Sequence, residues 1–242
     1  MTQTSLRLID RSTVDQAEIQ HFSEHARDWW DVDGTYAPLH KMTPARISYI
    51  KDTLREISGA SILDIGCGGG LVCEPLYRLG AKVVGIDADG VAIETAQDHA
   101  KRNGLNINYI CGAAEDLVSQ KKKFDFVTAL EIVEHVSSPS SFVSMCSQLL
   151  KPKGKVVFST LNRTWKSYAF GIVAAERILN WAPAGTHSWQ KFIKPSELAR
   201  MAENEGLRVV DVCGLVYKPL SGQFELAPHD LDINYFLVAE KI

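Results

Sequence analysis

The spacing of apolar positions changes several times along the chain, and each change marks an element. From Asp15 to Trp30 apolar and aromatic residues recur at helical spacing, with Ile19, Phe22, Ala26 and Trp29-Trp30 on the stripe. A loop with Gly34 and Pro38 follows. Thr43-Pro44 then predicts a second helix to about Ser58, with Thr as N-cap and Pro at the first helical position. From Ser61 onward, short apolar runs predict strands at 61–65, 82–87, 107–110, 124–130 and 154–160. Helical patterns lie between them at about 70–80, 89–103 and 138–150. Strand-helix alternation with short turns predicts an α/β fold built on a doubly wound, mostly parallel sheet. Pro195 opens a further helix to Glu205, Gly206 stops it, and strands at 207–217 and 231–239 predict an antiparallel hairpin at the edge.

Residues 161–194 fit none of this alternation. They follow the fifth strand, where the ligand crevice of such sheets opens. At helical periodicity Tyr168, Ile172, Ala175 and Leu179 share one face, and Phe170, Ile178 and Trp181 form another. That apolar arc is wider than a helix needs to rest on one core surface. It reads as an insertion helix packed on the domain, as a substrate lid, or as an interfacial helix dipping into a bilayer. The chain therefore divides into a helical cap (1–60), a cofactor-binding core (61–160), the insertion (161–194), and a C-terminal helix with hairpin (195–242), all within one domain.

Composition narrows the setting. With 242 residues and a formal charge of -3, there is core enough for one domain and no basic surplus for nucleic acid. Lys121-Lys122-Lys123 is a basic run directly before an apolar strand and reads as a solvated loop. Cys67, Cys73, Cys111, Cys146 and Cys213 show no paired C-x-x-C spacing, which favours a reducing compartment over a disulfide framework. No apolar stretch approaches membrane-spanning length. A hydrophobic signal core is absent, and the early Asp10 and Asp15 argue against a transit peptide, so the expected location is cytoplasmic.

The chemistry concentrates at Asp64-Ile-Gly-Cys-Gly-Gly-Gly70, a strand end running into a glycine turn. A dinucleotide fingerprint needs glycines at the first, third and sixth places. Counting from Gly66 the sixth place is Leu71, and from Gly68 it is Cys73, so both registers fail. Asp64 would also repel a phosphate there, whereas it suits a cationic amino-acid end. Asp87, at the tip of the next strand, is placed to grip ribose hydroxyls. Together these features point to S-adenosylmethionine. Glu115-Asp116 either reaches the adenine or is a pair of solvent-exposed turn acids. Arg46 either meets the cofactor carboxylate or lies on the surface.

In-line alignment of donor and acceptor can supply roughly 7–11 kcal/mol of such a reaction. An oxygen acceptor must still lose its proton to a base or to a metal. Glu131, Glu134 and His135, just beyond the fourth strand, would share one face if the segment were helical. Facing the crevice they could bind magnesium or manganese. Without a metal, they line or brace the pocket. His40 and His187 fall in segments that cap the crevice, as structural residues or as a general base.

Longer strings are more specific. D-I-G-C-G-G-G (64–70) resembles motif I of the class I methyltransferases. F-S-E-H-A-R-D-W-W-D (22–31), P-L-H-K-M-T-P-A-R (38–46), A-L-E-I-V-E-H-V (129–136), F-S-T-L-N-R (158–163), G-T-H-S-W-Q-K-F-I-K-P (185–195) and D-I-N-Y (232–235) resemble the ubiquinone biosynthesis O-methyltransferases over nearly the whole chain. The resemblance implies a seven-stranded class I sheet and two O-methylations, of a polyprenyl catechol and of demethylubiquinol. It implies cofactor contacts at Arg46, Gly66, Asp87 and Leu130, beside Asp64 and Gly68 of the turn, and magnesium at Glu131, Glu134 and His135. It also associates the segment after the fifth strand with lipid. Here Trp165, Phe170 and Trp181 with Lys166 and Arg177 suit an anionic membrane surface. A peripheral association with the inner membrane face and with other enzymes of the pathway is expected on the same ground. Two other readings are a class I methyltransferase of a soluble small molecule and a non-catalytic cofactor-binding subunit of a quinone-synthesis complex.

Overall fold

The computed structural model describes residues 13–169 and 189–242 and folds the alternating elements into one sheet with helices on its faces. The strands are β1 (Ser61–Ile65), β2 (Lys82–Asp87), β3 (Asn108–Cys111), β4 (Phe124–Leu130), β5 (Leu150–Leu161), β6 (Leu207–Lys218), β7 (Gln223–Ala227) and β8 (Asn234–Lys241). The helices are α1 (Gln16–Ser23), α2 (Ala37–Leu54), α3 (Cys73–Arg78), α4 (Gly90–Arg102), α5 (Ala114–Ser119), α6 (Pro139–Leu149) and α7 (Pro195–Asn204). The sheet order is β3-β2-β1-β4-β5-β8-β6-β7. β1 to β5 pair in parallel, and β8, β6 and β7 add antiparallel ladders beyond β5. Chain order reverses between β1 and β4, so a crevice opens at their C-terminal ends.

Local chemistry sets the helix starts. Asp89 caps α4 by accepting from the Val91 amide at 2.9 Å, and His99, Lys101 and Arg102 occupy its last turn, where the helix dipole favours cations. Ser138 precedes α6, whose first residue is Pro139. Ile62 to Ile65 of β1 are buried on both faces, as a central parallel strand requires.

The structure departs from the sequence expectations at several places. The first helix ends at Ser23, and a short 3-10 turn at Ala26–Asp28 releases the two tryptophans from it. Trp30 then donates to the Gly69 carbonyl at 2.9 Å and stacks on His99 at 3.4 Å. Those contacts with the glycine turn and with α4 outweigh one more turn of helix. α2 begins at Ala37 rather than Thr43, because Pro38 already supplies the first-turn proline; Pro44 lies inside the helix. Thr43 Oγ1 donates to the Leu39 carbonyl at 2.7 Å instead of capping. α3 is shorter than expected, and Glu115 and Asp116 sit in the first turn of α5 rather than in a loop.

The sheet has eight strands where seven were expected. β6 forms its hairpin with β7, and β8 inserts between β5 and β6. Asn234 to Ala239 of β8 are buried without interruption, which suits an interior strand and not an edge.

Candidate active site

One cavity of about 860 Å³ opens at the strand C-termini. Asp64, Gly66, Gly68, Asp87, Glu115, Leu130, Glu131, His135 and Arg46 all line it. Most of the residues expected from the sequence thus line one cavity. Gly66 and Gly68 have φ of +72° and +50°, the left-handed region in which a side chain is strained. Close approach adds to this: a Cβ on Gly66 would stand 2.4 Å from Ile132 Cδ1, and one on Gly68 2.3 Å from Trp29 Cζ2.

Asp87 accepts from the Gly68 amide at 2.8 Å and the Asp89 amide at 2.9 Å, so it closes the glycine turn on itself. A carboxylate has further lone pairs, which leaves room for ribose hydroxyls. Burial raises its pKa, against the opposing amide hydrogen bonds. Asp64 is buried, and burial pushes its pKa up to about 6 although Thr128 Oγ1 donates to it at 2.6 Å. A cationic ammonium beside it would restore the ionised form.

Arg46 comes from α2 and is 4% exposed. Its Nη2 lies 3.1 Å from Glu131 Oε1, yet Nε and Nη2 make no hydrogen bond among the described residues. A buried guanidinium with donors left over on a cavity wall is a carboxylate site in waiting. The cofactor's amino-acid end fits it. Leu130 ends β4 in the wall, and Glu115 Oε1 accepts from the Thr13 amide at 2.5 Å.

Beyond β4 the chain forms a turn rather than a helix, and this corrects the expected shared face. Glu131 has φ 53°, an unusual backbone for a non-glycine residue and one often found at functional sites. It accepts from Ser159 Oγ at 2.5 Å and from Asn234 Nδ2 at 2.9 Å, besides its ion pair with Arg46. His135 Nδ1 donates to Glu18 Oε2 at 2.9 Å. Burial lowers the His135 pKa, but Glu18 and the charges of Glu134 and Glu131 outweigh it and the net shift is upward. Glu18 is held down at about 2, first by that hydrogen bond and then, against burial, by Lys191 at 2.7 Å. Glu134 is not on the cavity wall; it is 3% exposed, its carboxylate oxygens have no hydrogen-bond partner among the described residues, and burial and the Glu131 charge raise its pKa.

The magnesium site expected from Glu131, Glu134 and His135 therefore does not form in this arrangement. Among the described residues, no group of three or more His, Cys, Asp or Glu could hold a metal ion. Glu131 is engaged by Arg46, Ser159 and Asn234, His135 by Glu18, and Glu134 faces the interior. His40 is structural: its Nε2 bonds the Trp29 carbonyl at 2.8 Å, and it does not line the cavity. His187 lies outside the described residues. Sequence reasoning missed Glu18, Ser159 and Asn234 as site residues. Asn234 stands inside the D-I-N-Y string, a usable signal; Glu18 offered none.

The fold and this wall define a class I S-adenosylmethionine-dependent methyltransferase. A family model described as "Methyltransferase domain" matches residues 39–212. The chain is 45% identical to the ubiquinone biosynthesis O-methyltransferase of Bartonella bacilliformis, over 96% of this chain and 98% of that protein. It is 42% identical to the one from Brucella anthropi over 100% and 99%. The chain belongs to the ubiquinone biosynthesis O-methyltransferase family. Among solved structures, the magnesium protoporphyrin IX methyltransferase of Synechocystis PCC 6803 with bound SAH matches with a TM-score of 0.68 at 18% identity, over 94% of this chain and 100% of that one. A possible histamine N-methyltransferase of Thermotoga maritima matches equally, with a TM-score of 0.68 at 15% identity, over 93% and 100%. At these identities the two structures speak for the fold.

Proposed function

We propose that the chain methylates a ring hydroxyl of polyprenyl catechol and demethylubiquinol intermediates in ubiquinone biosynthesis, using S-adenosylmethionine. The observation that carries this reading is the juxtaposition of a buried Arg46–Glu131 pair with an Asp64–Asp87 cofactor wall in one cavity, in a chain of this family. When bound, the sulfonium cofactor supplies an electrophilic methyl group and a neutral leaving group. Arg46 holds the carboxylate end, Asp64 faces the ammonium, and Asp87 takes the ribose hydroxyls. Glu131, fixed by Ser159 and Asn234, orients the acceptor hydroxyl, and Glu131 or His135 receives its proton. Ile19 of α1 and Trp29 line the cavity and limit the water that can reach the sulfonium.

The membrane part of the reading rests on composition and exposure. Trp165 is 72% and Tyr168 53% exposed, with Lys166 between them. Such an aromatic pair suits the interfacial layer of a membrane, with Lys166 held beside it by Asp232. Among the described residues no helix is long and apolar enough to cross a membrane. The decisive experiment supplies isotopically labelled S-adenosylmethionine and a short-chain isoprenoid catechol to the purified protein. Labelled methyl ether should form, and Glu131→Gln should slow it at least tenfold; no transfer to the catechol would overturn the assignment.

A further inference from the structure

The antiparallel half of the sheet opens on the same cavity as the parallel half. Leu161 at the end of β5 pairs with Asn234 of β8, and Asn234 pairs with Leu215 of β6. These three residues form one row across the cavity rim, and all three line it. β6 continues past that row through Val216 and Tyr217 to Lys218, and the chain returns as β7 from Gln223. Three more strand residues at about 3.3 Å each raise the hairpin roughly 10 Å above the rim.

The hairpin residues that line the cavity are apolar or aromatic. Val216, Tyr217, Pro219 and Phe224 line the cavity beyond Leu215. Tyr217 and Phe224 are direct cross-strand partners with ring centroids 5.2 Å apart. Leu39 and Met42 of α2 line the cavity as well, and Leu39 and Phe224 pack on the same core cluster. The cofactor wall does not need this region, since β1 and β2 lie on the other side of β4, β5 and β8 in the strand order. Between the two regions sits the polar group of Arg46, Glu131 and Asn234, where the acceptor's reacting oxygen belongs. At the far end Leu220 stands fully in water beside Pro219, an exposed residue that still lines the cavity.

We propose that the space between α2 and the β6–β7 hairpin is a binding subsite for the apolar tail of the acceptor. The ring stays at Glu131, the tail runs along Phe224 and Tyr217, and it leaves past Pro219 and Leu220. This inference rests on the proposed function, because it presumes an acceptor with an isoprenoid tail. It goes further in assigning that tail to the hairpin, a part of the cavity that the cofactor and the reacting ring leave open.

The test compares two catechol acceptors with the same ring, one carrying three isoprene units and one carrying only a methyl group, both dissolved in detergent. The readout is the ratio of kcat/KM for the tailed over the tailless acceptor. In the unaltered protein this ratio is expected to exceed ten. Phe224→Ser should lower it at least tenfold, and Pro219→Asp, a change at an exposed turn that does not threaten folding, at least threefold. A ratio near one in the unaltered protein would overturn the subsite. So would variants that lower kcat/KM for both acceptors by the same factor, or that leave the ratio unchanged. If the unaltered protein methylates neither acceptor, it is the proposed function that fails.

Discussion

Arg46 of α2 meets Glu131 at the end of β4 across 3.1 Å, and this pair joins the helical cap to the reaction end of the cavity. The two side chains are 4% and 19% exposed, so each depends on the other for charge compensation. Breaking a buried pair from one side typically costs about 3–5 kcal/mol. Arg46→Met should therefore lower the melting temperature and weaken S-adenosylhomocysteine binding at least tenfold by calorimetry. Unchanged affinity would remove Arg46 from the cofactor site.

Asp87 serves the glycine turn and the ribose together. Asp87→Ala removes the acceptor of the Gly68 and Asp89 amides as well as the ribose partner. Losing charge-assisted bonds of this kind costs about 1.5–3 kcal/mol each. The Km for S-adenosylmethionine should rise about a hundredfold, with kcat at saturation changing much less. Steady-state kinetics over a wide cofactor range separates the two parameters.

The glycine turn is shaped by what lies on it. Gly68→Ala should destabilise the fold through its φ of +50° and through a Cβ placed 2.3 Å from Trp29 Cζ2. Trp29→Ala in the same chain removes the second cause and leaves the first. A double-mutant cycle by denaturant unfolding should thus show partial recovery. Strict additivity would mean that the tryptophan does not press on the turn.

Asp64 predicts a pH dependence with a definite sign. Its folded pKa of about 6 exceeds the ordinary 3.8, so the folded chain binds more protons than the unfolded chain between these values. Stability from this group is greatest below about pH 3.8 and falls as pH rises through the window, by about 3 kcal/mol in all. Asp64→Asn should gain stability relative to the unaltered protein from pH 4 to 7 without cofactor. A pH-independent difference between the two proteins, in urea unfolding, would contradict the assignment. Cofactor binding near pH 5.5 should release protons, visible as a dependence of binding enthalpy on the buffer.

What was legible in the chain was local. β1, β2 and β4 coincide with their expected ranges, because short apolar runs between turns leave few alternatives. The D-x-G-x-G-x-G turn and Asp87 could be matched to a cofactor because backbone conformation and strand-tip position follow from neighbouring residues. Partners distant in sequence were not legible. Nothing in the string E-I-V-E-H says that it forms a turn, or that its second glutamate faces inward. The bond from His135 to Glu18, and the position of β8 between β5 and β6, join residues far apart along the chain.

The sequence by itself determined the α/β alternation, the glycine turn with its two carboxylates, and membership in this family. The first two depend on periodicity and on backbone freedom, which act over a few residues, and the third on strings shared along nearly the whole chain. Tertiary structure alone decided that Arg46 neutralises Glu131, that Glu134 leaves the cavity, and that the β6–β7 hairpin builds its apolar end. Those outcomes depend on which surfaces meet when the sheet closes. The balance of burial and charge at each meeting point is a property of the packed chain.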